Sequence, residues 1–239
     1  MSRSARQRGY APATSPRRLR VTEVFESLQG EGPFCCRRAL FIRLAGCNLR
    51  CPFCDTPYSL DPRGGEPAPL EELVERAARH RGLVVLTGGE PLLQRGAVNR
   101  FLEQLWARDS GVEVQVETNG TLPPPAPGEP LRRAYFVVSP KDFPIAVPGA
   151  RTHPGWAGYA ASTGRAWFKL LAASEEHVAA AAAWAREKNL PPGRVYVMPV
   201  TSGDMSASDL LEAHRRVARW ALRYGLEFSP RMHLLLGLA

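Results

Sequence analysis

The chain has 239 residues, 44% of them hydrophobic, and a formal net charge of +8. That is enough apolar material for one domain with a real core, while no apolar run approaches the roughly 20 residues needed to cross a bilayer. Six arginines (Arg3, Arg6, Arg8, Arg17, Arg18 and Arg20) fall in the first twenty residues, which hold no acid, so the basicity belongs to a tail and argues against a nucleic-acid-binding body.

Residues 1–19 read as a disordered basic tail, rich in Ser, Pro, Ala and Arg and without apolar period. A solvated tail, a misassigned start and a transit peptide all share that composition. Residues 20–239 read as a single domain. Arg20 to Glu26 alternates as a strand does and leads into Ser27-Leu28-Gln29-Gly30-Glu31-Gly32, a loop whose glycines allow positive φ or close approach. Cys35 and Cys36 follow, and read as an adventitious loop pair, or one of them as a fourth cluster ligand or redox thiol. The apolar run Ala39 to Gly46 is a second strand, and it feeds Cys47-Asn48-Leu49-Arg50-Cys51-Pro52-Phe53-Cys54-Asp55-Thr56.

Residues 62–69 read as a Pro/Gly-rich link, and 70–79 as an amphipathic helix with acids in its first turn and arginines later. Leu83 to Leu86 is a continuous apolar strand ending in Thr87-Gly88-Gly89-Glu90-Pro91, followed by a helix over 94–108. The strand 112–116 ends in Glu117-Thr118-Asn119-Gly120, after which five prolines in 121–130 exclude a helix interior. The strand 134–138 ends in Ser139-Pro140-Lys141, and 143–163 reads as loop. A strand over 167–171, an N-cap at Ser174 and a helix to 188 come next. A strand over 195–199, a helix over 207–224 and a short run 226–229 precede the C-terminal residues. Strands alternating with helices imply a mainly parallel α/β sheet. With two crossovers lacking a helix, the expected fold is a partial, eroded (β/α) barrel.

Three thiolates at spacing C-x3-C-x2-C select a soft metal centre. A structural zinc ion wants four ligands, so the stretch reads as a four-iron cluster with one open iron or as a zinc knuckle with a distant fourth ligand. The spacing resembles that of the radical S-adenosylmethionine enzymes, which bind that cofactor at the open iron. Six polar motifs follow strands, and in a parallel barrel strand C-termini share the face where sites form.

The segments Glu23 to Gly32, Phe41 to Leu49 and Cys54-Asp55-Thr56 resemble the 7-carboxy-7-deazaguanine synthase family, strongly over the first third of the chain and weakly over 121–163. The resemblance implies a truncated radical S-adenosylmethionine barrel. It also implies conversion of 6-carboxy-5,6,7,8-tetrahydropterin to 7-carboxy-7-deazaguanine with loss of ammonia, for 7-deazapurines such as queuosine. Carried over by position, Cys47, Cys51 and Cys54 hold a [4Fe-4S] cluster and Thr56 binds magnesium. Phe53, Cys54, Asp55, Gly89, Ser139, Pro140, Lys141 and the segment Met198, Pro199, Val200 and Thr201 line S-adenosylmethionine. A glycine at 89 suits close approach of that cofactor. Leu28, Gln29, Gly30, Arg43, Thr87 and the carboxylate of Ala239 contact the pterin. Arg43 suits a substrate carboxylate or a barrel ion pair. No residue is marked as a general acid or base.

Ala239 stands where the family ends in proline, and Leu234 follows His233 where the family has lysine, which leaves His233 structural or functional. The implied partners are the pterin and an electron donor of flavodoxin or ferredoxin type, with a homodimer allowed and neither nucleic acid nor membrane expected. Five cysteines point to a reducing compartment, the cytoplasm. Two competing readings remain, a glycyl-radical enzyme activase and a zinc-bearing RNA-binding module.

Overall fold

A computed structural model describes residues 17–202 and 204–238. The expectations for Met1 to Pro16 and for Ala239 lie outside those residues. Among the described residues nine strands form one sheet in the order β3-β1-β2-β4-β5-β6-β7-β8-β9. Strand β1 (Arg18–Leu28) pairs antiparallel with β2 (Arg38–Leu44) and with the edge strand β3 (Glu66–Pro69). From β2 the sheet is parallel through β4 (Leu83–Gly88), β5 (Glu113–Thr118), β6 (Tyr135–Val138), β7 (Ala166–Ala172), β8 (Val195–Pro199) and β9 (Glu227–Phe228). The two ends of the sheet do not pair with each other, so the curve stays open as the partial barrel requires.

The strands alternate, and the alternation builds two different faces. Even positions such as Leu40, Ile42, Leu44, Val84, Leu86, Phe136 and Phe168 are buried in the main core. The helices α1 (Leu70–His80), α2 (Arg95–Arg108), α3 (Gly155–Thr163), α4 (Glu175–Glu187) and α5 (Ala207–Tyr224) cover that side. In β2 and in β4 through β7 the odd positions face the concave side, while in β1 and β8 the parity is reversed and Leu19, Val21, Val195 and Val197 join the main core. On the concave side Ala39, Leu83 and Val85 pack with Phe34 and Phe41, and the rings of Phe34, Tyr135 and Trp167 meet at 5.1–6.0 Å. This apolar layer lies beneath polar odd positions nearer the strand C-termini, such as Arg43, Thr87 and Lys169.

Four details differ from the sequence reading. Strand β1 begins at Arg18, and Leu19, assigned to the tail, is fully buried. Residues 66–69 form an edge strand despite two prolines, which an edge tolerates where the ladder does not need their N–H. Helix α3 occupies part of the segment read as loop. Trp156, Tyr159 and Ala160 are buried, and its apolar residues and glycines show no helical stripe to read. Only the β5–β6 crossover therefore lacks an α-helix, holding a single turn over Pro130–Arg133. Ser174 takes the extended N-cap conformation of α4 but makes no side-chain cap bond.

Candidate active site

The end of β4 and the cysteine loop are sewn together by backbone. Gly89 N–H donates to Leu44 O (2.9 Å) and Glu90 N–H to Gly46 O (2.7 Å). Gly46 and Cys47 in turn donate to Ser59 O and Leu60 O. A Cβ on Gly89 would lie 2.0 Å from Gly46 O and 3.0 Å from Cys47 N. The glycine is therefore required by the cysteine loop itself, and the space its missing side chain leaves is filled by protein backbone. That corrects the expectation that the space admits a cofactor, although Gly89 does line the cavity. Glu90 is wholly buried and accepts from Leu92 N–H (3.0 Å), Thr118 Oγ1 (2.9 Å) and Asn119 N–H (2.7 Å). Burial pushes its pKa up against those donors. Through it the end of β5 is fixed, and Asn119 Nδ2 reaches Asn48 Oδ1 (3.0 Å) and Cys47 Sγ (3.8 Å).

Cys47, Cys51 and Cys54 all line one cavity of about 460 Å³ at the strand C-termini. Leu49, Val147 and Ala150 back the loop with apolar side chains. Burial raises the pKa of Cys47 and Cys51, and the neighbouring thiols add to the rise, so these two need a cationic centre to be thiolates. Among the described residues no three His, Cys, Asp or Glu side chains are placed around a single ion. Three thiols of one loop on one cavity are a soft donor set, and the residues present fit a [4Fe-4S] group.

Cys35 and Cys36 take no part in it. Neither lines the cavity, Cys35 Sγ lies 3.4 Å from Gly30 O, and the two sulfurs are 3.7 Å apart. Burial and the Cys36 thiol push Cys35 up to about 12, far from the thiolate a metal needs. Replacing both by serine should leave the iron content and the visible spectrum of the reconstituted protein unchanged. A loss of one iron in four would make one of them a ligand.

The structure gathers the remaining expected residues on the same cavity. Phe53, Cys54, Asp55 and Thr56 come from the cysteine loop, Gly89 from the β4 end, and Ser139 and Lys141 from the β6 end. Met198, Pro199, Val200 and Thr201 come from the β8 end. Pro140 is buried but does not line the cavity. Leu28, Gln29 and Gly30 enter from β1, Arg43 from β2 and Thr87 from β4, with Arg43 and Thr87 paired side by side. Arg43 combines both of its sequence readings. Its Nε binds Glu23 at 2.5 Å and its guanidinium lies over the Phe25 and Tyr58 rings, leaving the two terminal nitrogens to meet a ligand. Thr56 Oγ1 lies 3.3 Å from Ser59 Oγ. His233 also lines the cavity, and its Nδ1 stands 2.1 Å from where a Gly30 Cβ would be, so Gly30 is glycine because the imidazole occupies that side.

Four charged residues were not singled out as site residues in the sequence. Lys169 on β7 is buried between Glu31 (2.5 Å) and Glu117 (2.8 Å). Glu117 also accepts from Gln29 Nε2 (3.2 Å) and Gln115 Nε2 (2.6 Å). Glu31 binds Arg231 Nε (3.0 Å), and Arg231 reaches Thr201 Oγ1 (2.6 Å) and the Asp55 carboxylate. Burial raises the pKa of Glu31, but the charges of Lys169 and Arg231 outweigh it and hold the carboxyl down at about 2. The available signal was a lone lysine in an otherwise apolar strand, because a buried charge must have a partner.

The radical SAM superfamily model matches residues 41–139, which hold the cysteine loop and the β4, β5 and β6 ends. A 7-carboxy-7-deazaguanine synthase of Hyperthermus butylicus is 54% identical over 239 residues and covers 100% of both chains. The chain belongs to the 7-carboxy-7-deazaguanine synthase family. Another member, from Pyrobaculum aerophilum, is 38% identical over 91% of this chain and 94% of its own. The crystal structure of QueE from Escherichia coli superposes with a TM-score of 0.68 at 21% identity, over 90% of this chain and 95% of that one, which shows the shared fold. The family is one of radical S-adenosylmethionine enzymes, so the cluster and S-adenosylmethionine are its cofactors. No helix among the described residues is long and apolar enough to cross a membrane.

Proposed function

We propose that the chain converts 6-carboxy-5,6,7,8-tetrahydropterin to 7-carboxy-7-deazaguanine with loss of ammonia, supplying 7-deazapurine synthesis. The observation that carries the reading is the convergence of the three thiols, the Arg43 guanidinium and the Gln29–Glu117–Lys169 group on one cavity. A cavity of about 460 Å³ lies within the range of ligand sites, roughly 300–1,000 Å³. Bound there, the cluster and S-adenosylmethionine supply the one-electron chemistry that starts the rearrangement at the pterin C6–H.

The protein's own part is to bind and orient. Cys47, Cys51 and Cys54 hold the cluster, and Lys141, half-buried beside it, supplies positive charge toward the cofactor carboxylate. Burial and the nearby Lys169 charge lower the Lys141 pKa, while Cys51 and Asp55 oppose that shift. The terminal nitrogens of Arg43 fork onto the substrate carboxylate. Gln29, Thr87 and Gly30 present hydrogen-bonding groups to the fused rings, whose edge is all donors and acceptors. Leu234 and Leu238 sit on the cavity beside His233 as apolar lining, each still partly exposed to solvent. Thr56 offers one hydroxyl to a magnesium ion that keeps several of its waters.

The reading extends to an electron donor of flavodoxin or ferredoxin type and to the cytoplasm, where free cysteines persist. It also extends to a homodimer, supported by the exposed Leu211 and Leu222, eleven residues and three turns apart on one face of α5. The test is a magnesium titration of the anaerobically reconstituted protein with dithionite, S-adenosylmethionine and the pterin, with the deazaguanine acid detected by mass spectrometry. Product is expected to rise with magnesium, and Thr56→Val to need several-fold more of it. Cofactor cleavage without the acid at any magnesium level would sink the substrate assignment, and product indifferent to magnesium would sink the metal.

A further inference from the structure

We propose that Arg231 is a positioning residue that couples the S-adenosylmethionine side of the cavity to its substrate side. The inference rests on the function proposed above. Arg231 is 7% exposed and spends its guanidinium on three separate segments. Its Nε binds Glu31 Oε1 at 3.0 Å, in the loop after β1 that carries Gln29 and Gly30. One terminal nitrogen donates to Thr201 Oγ1 at 2.6 Å, in the segment after β8. The other pairs with Asp55, which directly follows Cys54 in the cysteine loop. The pairs span 200, 30 and 176 residues of sequence, so nothing local brings these segments together.

The backbone of Arg231 is itself fixed. Its N–H donates to His214 Nε2 at 3.0 Å, while His214 Nδ1 lies 2.6 Å from Leu210 O. A ring nitrogen against a carbonyl must donate, so Nε2 is the acceptor and the imidazole is the neutral tautomer. Helix α5 therefore holds the arginine at a set height above the cavity. Glu31 passes the constraint to Lys169 and Glu117, and from there to Gln29. A ligand that orders Asp55 and Thr201 thus favours the one placement of Arg231 that also orders Glu31. By linkage, a ligand ordering Glu31 tightens binding on the cofactor side by the same factor. Such coupling keeps cofactor cleavage from running ahead of substrate binding.

The holoprotein tests this by equilibrium dialysis of S-adenosylmethionine with and without the pterin. In the wild type the pterin is expected to tighten cofactor binding on the order of tenfold. In Arg231→Ala that factor should fall to about one, and 5′-deoxyadenosine formed per deazaguanine acid should rise. Arg231→Lys should behave like the alanine variant, because an ammonium cannot bridge three partners in a plane. Thr201→Val removes one hydrogen bond and should lose part of the factor. It carries the test if Arg231→Ala fails to retain iron or melts early. An unchanged factor in a folded Arg231→Ala, or in Thr201→Val when the alanine variant does not fold, overturns the role of Arg231. So does a wild type that binds both ligands independently. Failure of the pterin to bind the wild type at all overturns the proposed function instead.

Discussion

Gly89→Ala is expected to lose its cluster and about 10²-fold or more in turnover, the scale of a misplacement near 1 Å. The three atoms nearest its Cβ would all be backbone: Gly46 O at 2.0 Å, Gly46 C at 2.4 Å and Cys47 N at 3.0 Å. Backbone cannot rotate away as a side chain can, so either β4 or the cysteine loop must move. That movement breaks the Glu90 N–H bond to Gly46 O and shifts Cys47, the first of the three thiols. The measurement is iron and sulfide content after reconstitution, beside the rate of deazaguanine formation. Gly96→Ala is the control, because nothing lies within 4 Å of its Cβ position in α2. It should keep full iron and gain up to ~1 kcal/mol of helix stability. A Gly89→Ala protein with full iron would show that β4 and the loop are not held as described.

Lys169→Met is expected to destabilise the protein by ~3–5 kcal/mol near neutral pH, the usual cost of removing one partner from a buried ion group. It leaves Glu31 with Arg231 alone and Glu117 with the amides of Gln29 and Gln115. The pH dependence carries the sign. In the wild type the Glu31 carboxyl is held at about 2, below its unfolded value, so its stabilisation is present above pH ~4.3 and is lost only as pH falls through about 2. The Lys169 pKa is raised by the two glutamates against the effect of burial, so its contribution is present at neutral pH and fades only as pH rises beyond the ordinary lysine range. Without the lysine, the burial of Glu31 is opposed chiefly by Arg231, and its carboxylate takes up a proton more readily. Thermal denaturation between pH 5 and 8 should therefore show the variant regaining stability toward pH 5 while the wild type stays level. A variant equally stable across that range would mean that the three charges are not buried together.

The sequence showed most of what repeats locally. Cysteine spacing, strand alternation and the polar motifs after each strand pointed to the strand C-termini, because these share one face in a parallel sheet, and the family resemblance supplied the site residues, which among the described ones all line the cavity except Pro140. What stayed hidden is what forms only across the chain. Glu31 and Lys169 are 138 residues apart, and nothing near either one names the other. Gly89 was legible as a needed glycine, but the body it makes room for is the loop at Gly46, which only the folded chain brings there. Edge strand β3 carries two prolines and α3 has no amphipathic stripe, so composition spoke against both. The split role of Arg43 was visible as two alternatives, and the geometry uses one guanidinium for both.

If one cavity brings the cofactor and the pterin together, turnover with pterin deuterated at C6 should put deuterium into 5′-deoxyadenosine or recovered S-adenosylmethionine, read by mass spectrometry, together with the deazaguanine acid. Adenosyl compounds free of deuterium, with the label confined to unreacted pterin, would contradict it.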